Sequence, residues 1–149
     1  MASMTGEKWG GCLCGAVRFR AAQVKTEFGG CHCKMCQRWT GGPLLAASVP
    51  ADAIEWSGAE AVGIYQSSDW AERAFCTRCG SGLWYRVTTR PDTDYEVLLG
   101  LFDDPGGMRM TSEIFIDAKP GAYAFTGEHR RETGAEVQAR YDLKRAEST

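Results

Sequence analysis

Short hydrophobic runs separated by turn residues dominate the pattern of this chain. Apolar and basic residues alternate over residues 16–20, as in a strand with one buried face. A continuous apolar run at residues 44–49 is typical of a fully buried strand. Glycine, serine and aspartate separate further β-rich runs at residues 54–56, 62–66, 72–75, 83–87, 95–101 and 113–116. The pattern therefore predicts a mainly β protein.

Two segments carry a helical pattern instead. Residues 34–40 can form a single helical turn, which the glycines at positions 41 and 42 would end. Beyond Gly127 the chain becomes charged, and its few apolar residues have helical spacing: Val137, Tyr141 and Leu143. We predict one domain over residues 1–126 and a charged C-terminal tail over residues 127–149, which is either a docked helix or a frayed, solvated segment.

Charge and composition narrow the function classes. The 149 residues include 17 basic and 19 acidic side chains, for a net charge of −2, so no broad basic field is available for nucleic acid or an anionic membrane surface. The apolar runs are too short to span a bilayer, and residues 1–8 lack a signal-peptide pattern. We expect a cytoplasmic protein with neither nucleic-acid nor membrane partners.

The seven cysteines form three close groups, and in a reducing compartment such groups indicate metal ligands. Zinc is the preferred ion, because thiolates within one tight turn can converge at about 2.3 Å from it. Small buried side chains, disulfides and an iron-sulfur cluster are the alternatives. The groups are Cys12-x-Cys14, Cys31-x-Cys33-x-x-Cys36 and Cys76-x-x-Cys79.

Glycines suggest how seven thiolates divide between two ions. Gly15 and Gly80 each follow a cysteine pair and permit a left-handed turn, whereas Gln37 follows the third group. We predict a structural zinc on four sulfurs, here named the closed cluster: Cys12, Cys14, Cys76 and Cys79. We predict a catalytic zinc on three sulfurs, here named the open cluster: Cys31, Cys33 and Cys36. A fourth protein ligand such as His129, or absence of metal, are the alternatives for the open cluster.

Three polar residues surround the open cluster in the sequence. His32 lies between two predicted ligands and is our candidate catalytic residue, as a proton shuttle or as a hydrogen-bond donor behind the ligands. A histidine satisfied by local backbone is the alternative. Lys34 and Arg38 are candidates to bind a substrate carboxylate, with exposed surface charge as the alternative.

These cysteine motifs resemble those of a known family. The segments at residues 10–19, 31–36 and 75–81, with a closing segment at 114–120, resemble the glutathione-dependent formaldehyde-activating enzyme (GFA) family, which includes the centromere protein V domain. The resemblance spans roughly residues 9–125. It implies coiled, twisted antiparallel sheets, a structural and a catalytic zinc on the cysteines assigned above, and addition of glutathione to formaldehyde.

The sequence thus favours a zinc-dependent carbon-sulfur lyase. Such an enzyme binds a small thiol, with glutathione as the candidate, at the open cluster and adds or removes an aldehyde-derived carbon at sulfur. The alternative function is a noncatalytic thiol carrier or a zinc-stapled interaction module.

Overall fold

Strands make up most of the ordered structure, which confirms the mainly β prediction. The computed structural model describes residues 2–147, with side chains described as far as Asp142. Its eleven strands, arranged in two sheets, are β1 Lys8–Gly11, β2 Arg18–Ala21, β3 Glu27–Cys31, β4 Leu44–Val49, β5 Ile54–Ser57, β6 Val62–Ser68, β7 Ala71–Cys76, β8 Gly82–Val87, β9 Tyr95–Leu98, β10 Arg109–Ile114 and β11 Arg130–Glu132. The two α-helices are α1 Lys34–Thr40 and α2 Gly134–Glu147.

The chain divides into two compact units. Unit 1 comprises residues up to 28 together with residues 46–109, and unit 2 comprises residues 29–45 together with the chain from residue 110 onward. Each unit contains one of the two predicted cysteine clusters. No helix within residues 2–147 combines the length and the hydropathy that crossing a membrane requires.

Unit 1 is built from antiparallel strands around two hydrophobic clusters. Strands β1, β2 and β5 pair in that order, and β4, β9, β8, β7 and β6 follow one another in the second sheet. Aromatic rings join the strands, since the Trp56 and Trp84 ring centroids are 4.6 Å apart and Phe19 lies 5.1 Å from Trp56. The buried side chains of Cys12 and Cys76 belong to one of these clusters, so the packing holds two of the four closed-cluster cysteines.

Unit 2 contains the strands β3, β10 and β11 and both helices. Strand β11 pairs with β10 in parallel, which is an exception to the antiparallel sheets that the family resemblance implies. Helix α2 begins with a capping box, in which the Thr133 hydroxyl accepts the Glu136 N–H and the Glu136 carboxylate accepts the Thr133 N–H. Val137 is buried, whereas Tyr141 is 46% exposed. Leu143, the third predicted apolar position, lies outside the described side chains, and the boundary after residue 126 stays a prediction.

Candidate metal centres

The closed cluster brings together sulfurs that are far apart in the sequence. The Sγ atom of Cys14 lies 3.7 Å from Cys12 Sγ and 3.8 Å from Cys76 Sγ. All four sulfurs, including that of Cys79, lie within 4.8 Å of one another. Four sulfurs arranged tetrahedrally at about 2.3 Å from zinc are about 3.8 Å apart, so the residues fit this ion.

Two glycine turns shape this cluster as the sequence predicts. Gly15 and Gly80 have φ angles of +82° and +81°, the left-handed conformation expected after each cysteine pair. The Gly80 N–H donates to the Cys76 carbonyl at 2.8 Å, which closes the turn that carries Cys79. The Val17 N–H donates to Cys12 Sγ at 3.3 Å, so backbone as well as metal can stabilise negative charge on that sulfur.

Hydrogen bonds already favour the thiolate form at part of the closed cluster. The Ser81 hydroxyl, 3.2 Å from Cys79 Sγ, and the Ser81 backbone lower the pKa of the Cys79 thiol to about 5. At Cys12 burial raises the pKa of the thiol, but the Val17 N–H and the sulfurs of Cys14 and Cys76 lower it below its ordinary value. A thiolate, rather than a thiol, is the form that binds metal.

The open cluster lies where a strand leads into a short helix. Cys31 ends β3, Cys33 is the N-cap of α1, and Cys36 is buried in the first turn. The Cys36 N–H donates to Cys33 Sγ at 3.3 Å, so the cap that starts the helix also orients one sulfur. The three sulfurs lie within 4.8 Å of one another, and no histidine, aspartate or glutamate ligand atom in the described part of the chain joins them.

Negative charge on the three sulfurs of the open cluster would be stabilised by a positive ion. Hydrogen bonds with the neighbouring Cys33 and Cys36 sulfurs, together with burial, raise the pKa of the Cys31 thiol well above its ordinary value. Three thiolates packed this closely repel one another, and a divalent cation relieves that repulsion. All seven cysteines are free, so the disulfide alternative has no support in the structure.

Comparison with known proteins agrees with this geometry. The family described as "Glutathione-dependent formaldehyde-activating enzyme" matches residues 7–118, which is most of the chain. The chain belongs to this family. Its membership accounts for the three cysteine groups, all of which lie within the matched residues.

Individual proteins are also similar to this chain. A protein of Schizosaccharomyces pombe, named as an uncharacterized lyase, is 33% identical over 128 residues, which cover 86% of this chain and 92% of that protein. A Halomonas elongata protein with the provisional name of glutathione-dependent formaldehyde-activating enzyme is 40% identical over 83 residues, covering 50% of this chain and 53% of that protein. A solved structure from Rhodobacter sphaeroides has a TM-score of 0.53 and 26% identity, covering 69% of this chain and 99% of that one.

His32, the candidate catalytic residue of this GFA family member, is fully buried. Its Nε2 lies 2.7 Å from Glu113 Oε1, and its Nδ1 lies 3.3 Å from the Tyr123 hydroxyl. Both ring nitrogens are thus engaged by other side chains of unit 2. The ring of His32 therefore makes its hydrogen bonds to distant side chains, not only to nearby backbone, as the alternative interpretation of the sequence would require.

Glu113, the partner of His32, is a buried carboxylate that the sequence patterns did not single out. Its side chain is 1% exposed and also contacts His129 Nε2 at 2.5 Å and Arg131 Nε at 3.1 Å. Burial raises the pKa of Glu113, but hydrogen bonds from His129 and His32 outweigh burial and lower it below its ordinary value. The one available signal was an acidic residue next to the apolar run at residues 114–116.

His129 is placed by this contact with Glu113 and does not join the open cluster. The alternative in which His129 is the fourth ligand of Cys31, Cys33 and Cys36 is therefore not realised in the structure. Arg131, in the segment predicted as a charged tail, reaches the same buried carboxylate with a side chain that is 39% exposed.

Lys34 and Arg38 lie on the exposed side of α1, four residues apart. Residues at this spacing are neighbours on one helix face, so both cations can reach one ligand. Among the described side chains, neither residue has a hydrogen-bond or ion-pair partner. Both remain available for an anionic group.

Proposed function

We propose that this protein catalyses the addition of a small thiol, with glutathione as the first candidate, to an aldehyde such as formaldehyde, together with the reverse cleavage. The observation that carries the proposal is the open cluster, in which three sulfurs converge and no further histidine or carboxylate of the described chain completes a tetrahedron. Its occurrence in a member of the GFA family supports the thiol and the aldehyde as substrates.

The proposed reaction is balanced without an oxidant or a reductant. The thiol loses its S–H proton, its sulfur forms a bond to the aldehyde carbon, and the carbonyl π electrons move to oxygen. That oxygen then takes up a proton, which gives an S-(hydroxyalkyl) adduct. In reverse, the carbon-sulfur bond breaks and the aldehyde is released, which is a lyase reaction.

In this proposal Cys31, Cys33 and Cys36 hold a zinc ion and leave one coordination position open. When bound there, zinc supplies a positive charge that keeps an incoming thiol ionised at neutral pH. The Cys36 N–H, directed at Cys33 Sγ, stabilises part of the negative charge that three thiolates accumulate. Lys34 and Arg38 attract a carboxylate of the thiol substrate to the same helix.

The closed cluster has an architectural role in this proposal. Four cysteines complete the tetrahedral coordination of zinc and leave no position for a substrate. Three of the four also belong to, or pack against, the hydrophobic core of unit 1: Cys12, Cys76 and Cys79. We place the protein in the cytoplasm, where a reducing environment keeps seven thiols free.

The experiment that tests the proposal measures turnover. Glutathione and formaldehyde are mixed with zinc-loaded protein, and exchange NMR measures the rate of adduct formation and breakdown above the spontaneous rate. We expect acceleration by the wild type and the spontaneous rate with Cys33→Ser. If a folded protein with two zinc ions per chain accelerates the reaction of no thiol in a panel, the enzyme proposal is wrong and a thiol carrier or interaction module takes its place.

A second measurement tests the carboxylate contacts. Removing the positive charge of Lys34 or Arg38 weakens attraction for an anionic thiol, so Lys34→Ala and Arg38→Ala should raise the KM for glutathione several-fold. The KM for an uncharged thiol such as 2-mercaptoethanol should not change. Arg78→Ala is the matched control, because Arg78 is an exposed cation between two cysteines of the closed cluster. An equal increase in the KM for glutathione and for 2-mercaptoethanol would contradict the assignment of Lys34 and Arg38 to carboxylate binding.

A further inference from the structure

A buried polar network joins the C-terminal segment to the residue that separates two open-cluster cysteines. We propose that Glu113 is a positioning residue for the open cluster: it fixes His32, and through His32 the backbone that presents Cys31 and Cys33. This inference rests on the proposed function, because it takes the open cluster to be a metal site.

The charge of Glu113 assigns the direction of its own three hydrogen bonds. An ionised carboxylate can only accept, so His32 Nε2, His129 Nε2 and Arg131 Nε all donate to Glu113. The other ring nitrogen of His32, Nδ1, lies 3.3 Å from the Tyr123 hydroxyl. The carboxylate therefore fixes which edge of the ring presents an N–H to Glu113, and Tyr123 contacts the opposite edge.

His32 is also held at both of its backbone groups. Its N–H donates to the Ile114 carbonyl at 3.0 Å, and its carbonyl accepts from Gln37 Nε2 at 2.7 Å. The four polar groups of this residue thus all have partners within unit 2. The position and the orientation of His32 are fixed from four directions.

The orientation of His32 sets the direction of its neighbours. In an extended segment successive side chains point to opposite sides of the chain. His32 is buried, whereas Cys31 and Cys33 on either side of it are partly exposed. A buried, fully bonded His32 therefore directs both sulfurs away from the network.

Most donors to this network lie beyond the family match, which ends at residue 118. Tyr123, His129 and Arg131 all come from the C-terminal segment, and Arg131 lies on β11, which pairs with β10 and so with the strand that carries Glu113. The C-terminal segment thus supplies the groups that keep a charged carboxylate buried. Loss of a group that hydrogen-bonds directly to a metal ligand lowers metal affinity by roughly 10- to 100-fold in other proteins, and Glu113 acts one residue further away, so the lower end of that range applies here.

The test compares the two metal sites of one chain by zinc competition with a chromophoric chelator. In Glu113→Gln, the amide replaces one acceptor oxygen with a donor that opposes the donors around it. We expect zinc at the open cluster to bind about tenfold more weakly, while zinc at the closed cluster keeps its affinity and serves as the internal control. Tyr123→Phe removes a single hydroxyl and should weaken zinc binding at the open cluster by about threefold. Tyr65→Phe, at an exposed tyrosine, should weaken zinc binding at neither cluster.

Each outcome decides the inference. Weaker zinc binding at the open cluster alone supports the inference. Wild-type affinity for both ions in folded variants, or equal weakening of both, overturns it while leaving the proposed function intact. If Glu113→Gln does not fold, the result for Tyr123→Phe decides in the same way. A wild-type protein that binds only one zinc overturns the proposed open site and this inference together.

Discussion

The Ser81 hydroxyl lies 3.2 Å from the sulfur of Cys79, and this hydrogen bond, together with one from the Ser81 backbone, lowers the pKa of that thiol to about 5. The same hydroxyl accepts the Leu13 N–H at 3.0 Å, so one serine contacts the loops of both cysteine pairs in the closed cluster. At the scale of single residues, these hydrogen bonds favour the thiolate form of Cys79, which is the form that binds metal.

Replacement of Cys79 by serine tests the architectural role of this cluster. Structural zinc contributes about 10 to 16 kcal/mol in small peptides, which is comparable to the whole stability of a domain. We expect Cys79→Ser to lose the zinc of the closed cluster and to unfold, as measured by zinc analysis and circular dichroism. A folded variant that still binds two zinc ions would contradict this role.

The matching change at the open cluster should have a different result. Cys33→Ser removes one of three ligands and is expected to lower the zinc content from about two per chain to about one without unfolding the protein. Because both variants exchange one sulfur for one oxygen, each is the control for the other. Unfolding of Cys33→Ser would show that the two clusters have been assigned the wrong roles.

Glu96 provides a prediction about pH. Burial raises its pKa from 4.5 to about 7, although the Ser48 hydroxyl donates to it at 2.7 Å. Between these pH values the unfolded chain releases the proton first, so this group's contribution to stability is complete below pH 4.5 and is lost as the pH rises through 7. The loss amounts to at most about 3 kcal/mol.

Urea unfolding of the wild type and of Glu96→Gln, at about pH 5 and at about pH 8, measures this loss. The quantity compared is the difference between their free energies of unfolding at each pH. The stability of Glu96→Gln relative to the wild type should increase from the lower pH to the higher one, since glutamine does not titrate. Glu55→Gln, at an exposed glutamate, should show no such increase. An identical pH dependence in the wild type and Glu96→Gln would rule out the raised pKa.

At the scale of elements, the turn that follows β5 requires a left-handed backbone conformation at Gly58. Gly58 has a φ angle of +85°, and a Cβ atom there would lie 1.9 Å from the Ala16 carbonyl oxygen. A side chain at this position is therefore disfavoured twice: its backbone conformation is strained, and its Cβ atom clashes with the backbone of Ala16. Gly58→Ala should destabilise the protein by at least about 2 kcal/mol in urea unfolding.

The control for this substitution is Gly100→Ala. Gly100 has no atom within 4 Å of a built Cβ, and its φ angle is not positive. Alanine there should change the free energy of unfolding by no more than about 1 kcal/mol, in the stabilising direction if at all. Equal destabilisation by both substitutions would contradict the steric argument.

Strands whose own sequence alternates or is continuously apolar were predictable. The run at 44–49 coincides with β4, and α1 occupies the predicted residues 34–40 before a left-handed Gly41 ends it. Strand β10 begins earlier than predicted and stops at Ile114, because Phe115 adopts a φ angle of +55°. Three strands were missed: β1 and β3, which contain adjacent glycines, and β11, which consists of charged residues.

At the scale of the whole molecule, cysteine spacing was the most informative feature of the sequence. Spacing predicted the convergence within each cysteine group, since it is a local property of a turn, and the glycines that follow two of the groups predicted which pairs combine in the closed cluster. The network around Glu113 was not predictable, because it depends on β10, β11 and the loop before β11 meeting in three dimensions. His129 and Arg131 carry no local signal that distinguishes a buried contact from a solvated tail.

The central claim is that the open cluster holds a metal whose remaining position accepts a thiol. Cobalt(II) replacing zinc tests it directly, because thiolate-to-cobalt charge-transfer absorption grows with each sulfur ligand. Glutathione added to protein with two cobalt ions per chain should increase this absorption, whereas S-methylglutathione should not, and Cys33→Ser should not respond to either. An unchanged spectrum at saturating glutathione in the fully loaded wild type would contradict the claim.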